Sequence, residues 1–195
     1  MERRSGQMNL PLVETTPLDG VLQIVPRRFS DDRGYFCETY NRQSFERIGA
    51  SCEFLQDNQS VSRQRNTVRG LHFQIPPFAQ AKLIRVLRGA IFDVAVDIRR
   101  GSASYGQGFG VTLSAENGRQ LFVPAGFAHG YCTLETETEV LYKVNAPYSR
   151  DHERGLKWND PALTIPWPIN ENEAVILNRD RDLPPLAGLP DYFRI

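Results

Sequence analysis

The chain has 195 residues, 41% of them apolar and 24% charged, which suits a single domain over 1–195 with a substantial core. Its 23 basic and 23 acidic side chains cancel, so no global field draws it to nucleic acid or to an anionic membrane; a small anionic ligand has to be held by local arginines. No apolar run reaches the roughly 18 residues of a membrane span. The polar, Arg-bearing stretch Met1–Met8 lacks the apolar segment of a signal peptide and reads as part of a loose tail over 1–14, with Met8 a candidate start. Cys37, Cys52 and Cys132 fit no zinc spacing and no disulfide framework, which points to a reducing cytoplasm.

Taken in order, the apolar alternation predicts strands at 20–26 and 34–40. One helix follows, over Arg42–Ile48. Asn41 caps it, Phe45 and Ile48 share a face, and Gly49 stops it. Further strands are expected at 67–74, 82–88, 90–98, 108–114, 119–124, 130–134 and 138–144, punctuated by Gly89, Gly101, Asn117-Gly118 and Pro124-Ala125-Gly126. In 90–98, Ala90, Phe92, Val94, Val96 and Ile98 form one face and Asp93 and Asp97 the other, as in a half-buried strand. The proline-rich last fifty residues are expected to wrap the core with turns and short helices. Many short strands and one helix predict an all-β sandwich, jelly roll or barrel.

Some polar residues then face the wrong way. In 67–74 a regular strand puts Arg69, Leu71 and Phe73 on one face and Gly70, His72 and Gln74 on the other. Lys82 falls on the face of Ile84 and Val86, and Tyr142 on the face of Val140 and Val144. A lysine aligned with apolar residues is costly to bury unless it has work there. Singly, each has an ordinary structural role: a hydrogen-bonded histidine, a lysine that snorkels, a core tyrosine with a satisfied hydroxyl. Together they suggest a wet interior pocket.

Joined in order, several segments become more specific. They are Asp32-Arg33-Gly34-Tyr35-Phe36-Cys37-Glu38, Phe54-Leu55-Gln56-Asp57-Asn58-Gln59-Ser60, Arg69-Gly70-Leu71-His72-Phe73-Gln74, and Ala79-Gln80-Ala81-Lys82-Leu83. Asp93-Val94-Ala95-Val96-Asp97, Pro124-Ala125-Gly126-Phe127-Ala128-His129-Gly130, Leu141-Tyr142-Lys143 and Trp158-Asn159-Asp160-Pro161 complete the set. In order and spacing this resembles the dTDP-4-dehydrorhamnose 3,5-epimerase family over residues 15–185. The resemblance implies a cupin-like jelly-roll barrel with a few short peripheral helices, a homodimer, no metal and no cofactor. It implies a dTDP-linked 4-keto-6-deoxy sugar as substrate. His72 becomes the proton-abstracting base, Asp180 its carboxylate partner, Lys82 the group beside the keto oxygen and Tyr142 the proton donor. Arg33, Glu38, Gln56, Asp57, Asn58, Arg69, His129, Glu153 and Arg179 match positions that contact the nucleotide sugar, some from the partner subunit. The family usually has lysine where Arg179 stands.

The chemistry suits these residue types. A 4-keto group acidifies the C3 and C5 hydrogens, and histidine is a base suited to neutral pH. A carboxylate fixes its tautomer. Lys82 counters the enolate charge, and a tyrosine, normally protonated at pH 7, returns a proton on the opposite face. Arg33 and Arg69 suit a diphosphate, and Phe36 or Tyr35 is a candidate to stack on the base. The metal-binding cupin pattern is only half present: Gly118 and Pro124-Ala125-Gly126 lead to His129, but His72 lacks a second histidine two residues on, and His152 lies in a polar loop. The expected reaction inverts C3 and C5. The alternatives are a mono-epimerase, a 3,4-ketoisomerase and a non-catalytic sugar-nucleotide-binding cupin.

Overall fold

The computed structural model describes residues 10–195. Among them the strands are Leu12–Thr15 (β1), Leu22–Val25 (β2), Arg28–Asp31 (β3), Gly34–Cys37 (β4), Gln56–Ser62 (β5), Val68–Gln74 (β6), Lys82–Arg88 (β7), Ala90–Asp97 (β8), Gly108–Ser114 (β9), Gln120–Val123 (β10), Phe127–Thr133 (β11), Thr138–Val144 (β12) and Glu153–Gly155 (β13). Two short helices, Arg42–Arg47 (α1) and Asn178–Arg181 (α2), and a few 3-10 turns accompany them. The expected tail overlaps this region: β1 pairs with β2, while residues 1–9, Met8 included, lie outside the described part.

The strands form a six-stranded sheet, ordered β1-β2-β10-β7-β12-β5, and a five-stranded sheet, ordered β13-β6-β11-β8-β9; β3 and β4 form a separate ribbon. The two sheets face each other as a cupin-like jelly roll. Between them pack Ile84, Val86, Leu121, Val123 and Val140 from one sheet and Ile91, Ala95, Leu113, Phe127 and Tyr131 from the other. A second apolar layer covers the back of the five-stranded sheet. There Val94, Val96, Ala128 and Phe73 meet Leu156, Trp158, Leu163 and Leu189 of the C-terminal wrap. Helix α1 closes the back of the other sheet with Phe45 against Ile24, Leu83 and Phe122. The Asn41 side chain accepts from the Ser44 N–H at its start, as the cap position requires.

Because both faces of the five-stranded sheet are covered, β8 departs from the expected half-buried pattern. Asp93 and Asp97 are both 0% exposed. Asp97 is satisfied locally by the Arg99 N–H and guanidinium and by the Ser102 and Ser104 hydroxyls. Strands β1, β3, β5 and β13 lie outside the expected set. β5 is the informative case, since its inward side chains are Gln56, Asn58, Ser60 and Ser62. A strand that lines a wet cavity carries no apolar period.

Strand β6 also departs from regular alternation. His129 of β11 pairs with His72, but Tyr131, two residues on, pairs with Arg69, three residues back. The extra residue in β6 is a bulge. It puts Arg69 and His72 on the same wall, where a regular strand separates them, while Leu71 and Phe73 go to the covered back. Gly70 sits at the bulge with φ of +115°, a conformation open to glycine.

Candidate active site

The inner faces of β5, β6, β7, β11 and β12 enclose one end of the sandwich, where small and polar side chains replace the apolar core. The resulting cavity, about 460 Å³, is lined by His72, Lys82, His129, Tyr142 and Asp180. Gln56, Asn58, Arg69, Glu153 and Arg179 line it as well. Residues from seven separate segments thus converge on one space.

His72 is held from behind. Its Nε2 lies 2.9 Å from Asp180 Oδ1. Asp180 reaches β6 because the wrap is stitched there: the Val68 N–H donates to Val175 O and the Val175 N–H to Asn66 O. Helix α2 follows and turns Asp180 inward, leaving it 4% exposed. Its other oxygen accepts from the Gly70 N–H at 3.2 Å, and Arg179 Nε donates to Oδ1 at 3.1 Å. Burial raises the Asp180 pKa, but the hydrogen bond and charge of His72, the Gly70 N–H and Arg179 outweigh it, so the carboxyl lies below its ordinary value.

Lys82 begins β7 with its side chain inward, 9% exposed, and donates from Nζ to His72 O at 3.3 Å. Burial pulls its pKa down to about 8, with Asp93 and Glu153 opposing the fall. Burial also pushes the Tyr142 phenol above its ordinary value, and Tyr131 and Glu153 add to this against Arg69. His129 lies below its ordinary value through burial, despite Asp93 Oδ1 at 2.8 Å from its Nε2. The cavity therefore holds an ammonium, a neutral phenol and an oriented imidazole side by side. Among the described residues no three His, Cys, Asp or Glu side chains are grouped to hold a metal ion.

Three expected contacts lie elsewhere in this chain. Asp57 alternates to the outside of β5 and pairs with Lys143 at 2.8 Å. Arg33, whose side chain is 90% exposed, pairs with Asp31 on the β3–β4 ribbon. Glu38 lies just past that ribbon, accepting from Asn41 at 3.3 Å. Other residues join the site without having been expected. Tyr131 faces the cavity and hydrogen-bonds Ser60 at 2.8 Å. Tyr148 stands at the rim with its hydroxyl donating to Glu153 at 2.9 Å. Tyr131 is two residues from His129 on one strand, so its inward direction was available from the alternation; nothing local marks Tyr148.

The sequence profile of the dTDP-4-dehydrorhamnose 3,5-epimerase family matches residues 15–188. The chain belongs to the dTDP-4-dehydrorhamnose 3,5-epimerase family. A family member from Sinorhizobium fredii is 53% identical over 171 residues, covering 88% of this chain and 87% of that protein. The structure of the Legionella pneumophila dTDP-6-deoxy-D-glucose-3,5-epimerase, in complex with dTDP-4-keto-L-rhamnose, superposes with a TM-score of 0.89 at 37% identity, covering 95% of this chain and 98% of that one. A dTDP-4-dehydrorhamnose 3-epimerase from Streptomyces niveus is 37% identical, covering 90% of this chain and 86% of that enzyme.

Proposed function

We propose that this protein inverts C3 and C5 of dTDP-4-dehydro-6-deoxy-D-glucose to give dTDP-4-dehydro-L-rhamnose, without metal or cofactor. The observation that carries the reading is the His72–Asp180 pair, 2.9 Å apart, in one cavity with Lys82 and Tyr142. With Nε2 engaged by Asp180, Nδ1 of His72 is left to take a proton from C3 or C5. The electron pair moves into the C3–C4 or C4–C5 bond, and the C4 oxygen becomes an enolate. The Lys82 ammonium stabilises that charge, and such preorganised stabilisation is typically worth about 3–4 kcal/mol. Tyr142, held protonated by burial, returns a proton to the opposite face of the carbon. The imidazolium then loses its proton to solvent and the Tyr142 phenolate regains one from solvent, so that the cycle can repeat at the second carbon. Both His72 and His129 direct Nε2 to a carboxylate, an arrangement suited to proton transfer and sugar binding.

Arg69, Gln56, Asn58, Glu153 and Arg179 hold the nucleotide sugar in this reading. Arg33 and Glu38 reach the site of a second subunit in a homodimer. The exposed ribbon supports that assignment: Phe29, Tyr35 and Phe36 are 45%, 57% and 71% exposed, an apolar surface beside Arg33. Asp57 binds only if its ion pair with Lys143 opens. No helix among the described residues is long and apolar enough to cross a membrane. The free Cys37, Cys52 and Cys132 accord with a reducing cytoplasm.

The test is incubation in D₂O with dTDP-4-dehydro-6-deoxy-D-glucose, followed by mass spectrometry and proton NMR. Deuterium at both C3 and C5 with inversion is expected. Inversion at one carbon alone makes the protein a mono-epimerase, and bound substrate with no uptake makes it a binding protein.

A further inference from the structure

The buried carboxylates of the described chain are Asp93, Asp97, Asp160 and Asp180. Three of them are well supplied with donors. Asp97 has Arg99 and two serines. Asp160 accepts from the Ala162 and Leu186 N–H groups. Asp180 has His72, Arg179 and the Gly70 N–H. Asp93 is different. It is 0% exposed, its Oδ1 meets only His129, and its Oδ2 has no hydrogen-bond partner among the described residues.

A carboxylate left so poorly supplied is costly in a protein interior. The balancing charge is close by. Lys82 is the buried cation of the same region, and its only hydrogen bond among the described residues is to a neutral carbonyl, His72 O. The chain has just three lysines, Lys82, Lys143 and Lys157, among 23 basic residues, so an ammonium inside the barrel is a departure from its heavy use of arginine. Geometry links the two charges. His72 and His129 are register partners on β6 and β11; Lys82 bonds the backbone of the first, and Asp93 bonds the side chain of the second.

We propose that Asp93 is a positioning residue whose carboxylate serves as the fixed counter-charge of Lys82 and the anchor of His129. The proposal rests on the epimerase reading for why the ammonium is needed: Lys82 must carry its proton when the enolate forms. Without Asp93, the buried ammonium is left with the His72 carbonyl and the shared Glu153 carboxylate, and it loses its proton more readily. The substrate's developing charge then has no cation beside it. Asp93 acts through Lys82 and His129, outside the lining of the cavity itself.

The other titratable groups around Lys82 are His72, His129, Tyr131, Tyr142, Glu153 and Asp180. Glu153 also supports the Lys82 charge, but it is shared with Tyr148 and Arg179. Asp180 is committed to His72. Arg69 is held by Ser62 and the Val61 carbonyl on the opposite wall. Asp93 is therefore the anion whose removal changes Lys82 most.

The experiment is a pH titration of Lys82 by ¹⁵Nζ and ¹³Cε NMR of the lysine-labelled full chain, where three lysines make assignment direct. Wild type is expected to titrate at about 8. Asp93→Asn, whose amide oxygen still accepts from His129, is expected to titrate at least about tenfold more readily, one pH unit lower. The alkaline limb of kcat moves down with it while KM changes little. An unmoved Lys82 titration overturns the proposal. His129→Asn keeps the Asp93 charge, so an equal drop there also overturns it. If Asp93→Asn does not fold, the ¹³Cγ shift of Asp93 in wild type decides: a protonated carboxyl at pH 7 is incompatible with the role. These NMR readouts do not depend on turnover, so a protein that epimerises nothing is told apart from one in which Asp93 lacks this role.

Discussion

Gly70 of β6 and Gly130 of β11 are packed back to back. A Cβ built on Gly70 stands 2.7 Å from the Gly130 Cα, and one on Gly130 stands 2.5 Å from the Arg69 carbonyl oxygen. Neither contact is with a flexible side chain, so the strands themselves have to separate. The bulge that turns both Arg69 and His72 into the cavity sits at this contact. Gly130→Ala is expected to destabilise the protein by about 1–3 kcal/mol, the usual range for overpacking. For a chain of this size that lowers Tm by roughly 2–4 °C per kcal/mol. A larger proportional loss in kcat than in thermal stability, read at a temperature where the variant is folded, follows from the shifted His72. A variant with wild-type Tm and kcat contradicts the close approach.

The Asp180 carboxylate fixes which nitrogen of His72 faces the substrate, since Oδ1 lies 2.9 Å from Nε2. Asp180→Asn keeps the shape but offers an amide. It either presents N–H to the ring or holds a weaker acceptor, and the imidazolium loses its counter-charge. General-base steps typically contribute about 10²–10⁴-fold. A loss of kcat within that range is expected, with KM little changed, because the interaction matters chiefly in the transition state. Steady-state kinetics of exchange into D₂O measure both constants. A loss confined to KM removes Asp180 from the role.

Much of this architecture was legible in the chain, and the exceptions share a cause. Strands with an apolar inner face, such as β7 and β12, announce themselves by alternation. β5 does not, because its inner side chains face a cavity rather than a core. Asp93 and Asp97 alternate as solvent-facing residues do, but the six-stranded sheet covers the face they share with Ile91 and Ala95 and the C-terminal wrap covers the other, and the alternation carries no information about that cover. The bulge at Gly70 is also silent in a period-2 pattern, which puts Arg69 opposite His72. Asp180 sits 108 residues from the histidine it orients. Only family resemblance, and then the fold, brings that pair together.

Lys82 carries a pH signature in stability as well as in catalysis. Its pKa in the folded chain, about 8, lies below the ordinary 10.5. Between those values the unfolded chain binds more protons at this residue than the folded chain does. Its contribution to stability therefore rises with pH through that window and is least favourable below about pH 8. The difference converts to about 3 kcal/mol at 1.36 kcal/mol per pH unit. Urea unfolding at pH 7.5 and pH 10 measures it, with Lys82→Met as the reference. Wild type should gain stability relative to Lys82→Met as pH rises. A constant difference between the two proteins places the ammonium in water instead of in the barrel.

Asp97 gives the opposite sign. It is fully buried, and burial alone raises its pKa. The Arg99 guanidinium and N–H, with the Ser102 and Ser104 hydroxyls, outweigh burial and bring it to about 2, below the ordinary 3.8. A depressed carboxylate contributes stability that is complete above the unfolded value and lost as pH falls through the folded one. The loss thus runs from about pH 4 down to about pH 2 and amounts to about 2 kcal/mol. The same groups pin the loop after β8: the Gly106 N–H donates to Asp97 O, and Asp97 Oδ2 accepts from Ser102 and Ser104. Asp97→Asn should cost about 2–4 kcal/mol at pH 7, because it leaves the half-buried Arg99 without its anion. It should also flatten the acid limb of the stability profile between pH 4 and pH 2. Denaturant unfolding of both proteins at pH 2.5, 4 and 7 separates these effects. If the wild-type and Asn profiles run parallel across the acid range, the carboxylate is not the group that titrates there, and the loop is held by its backbone alone.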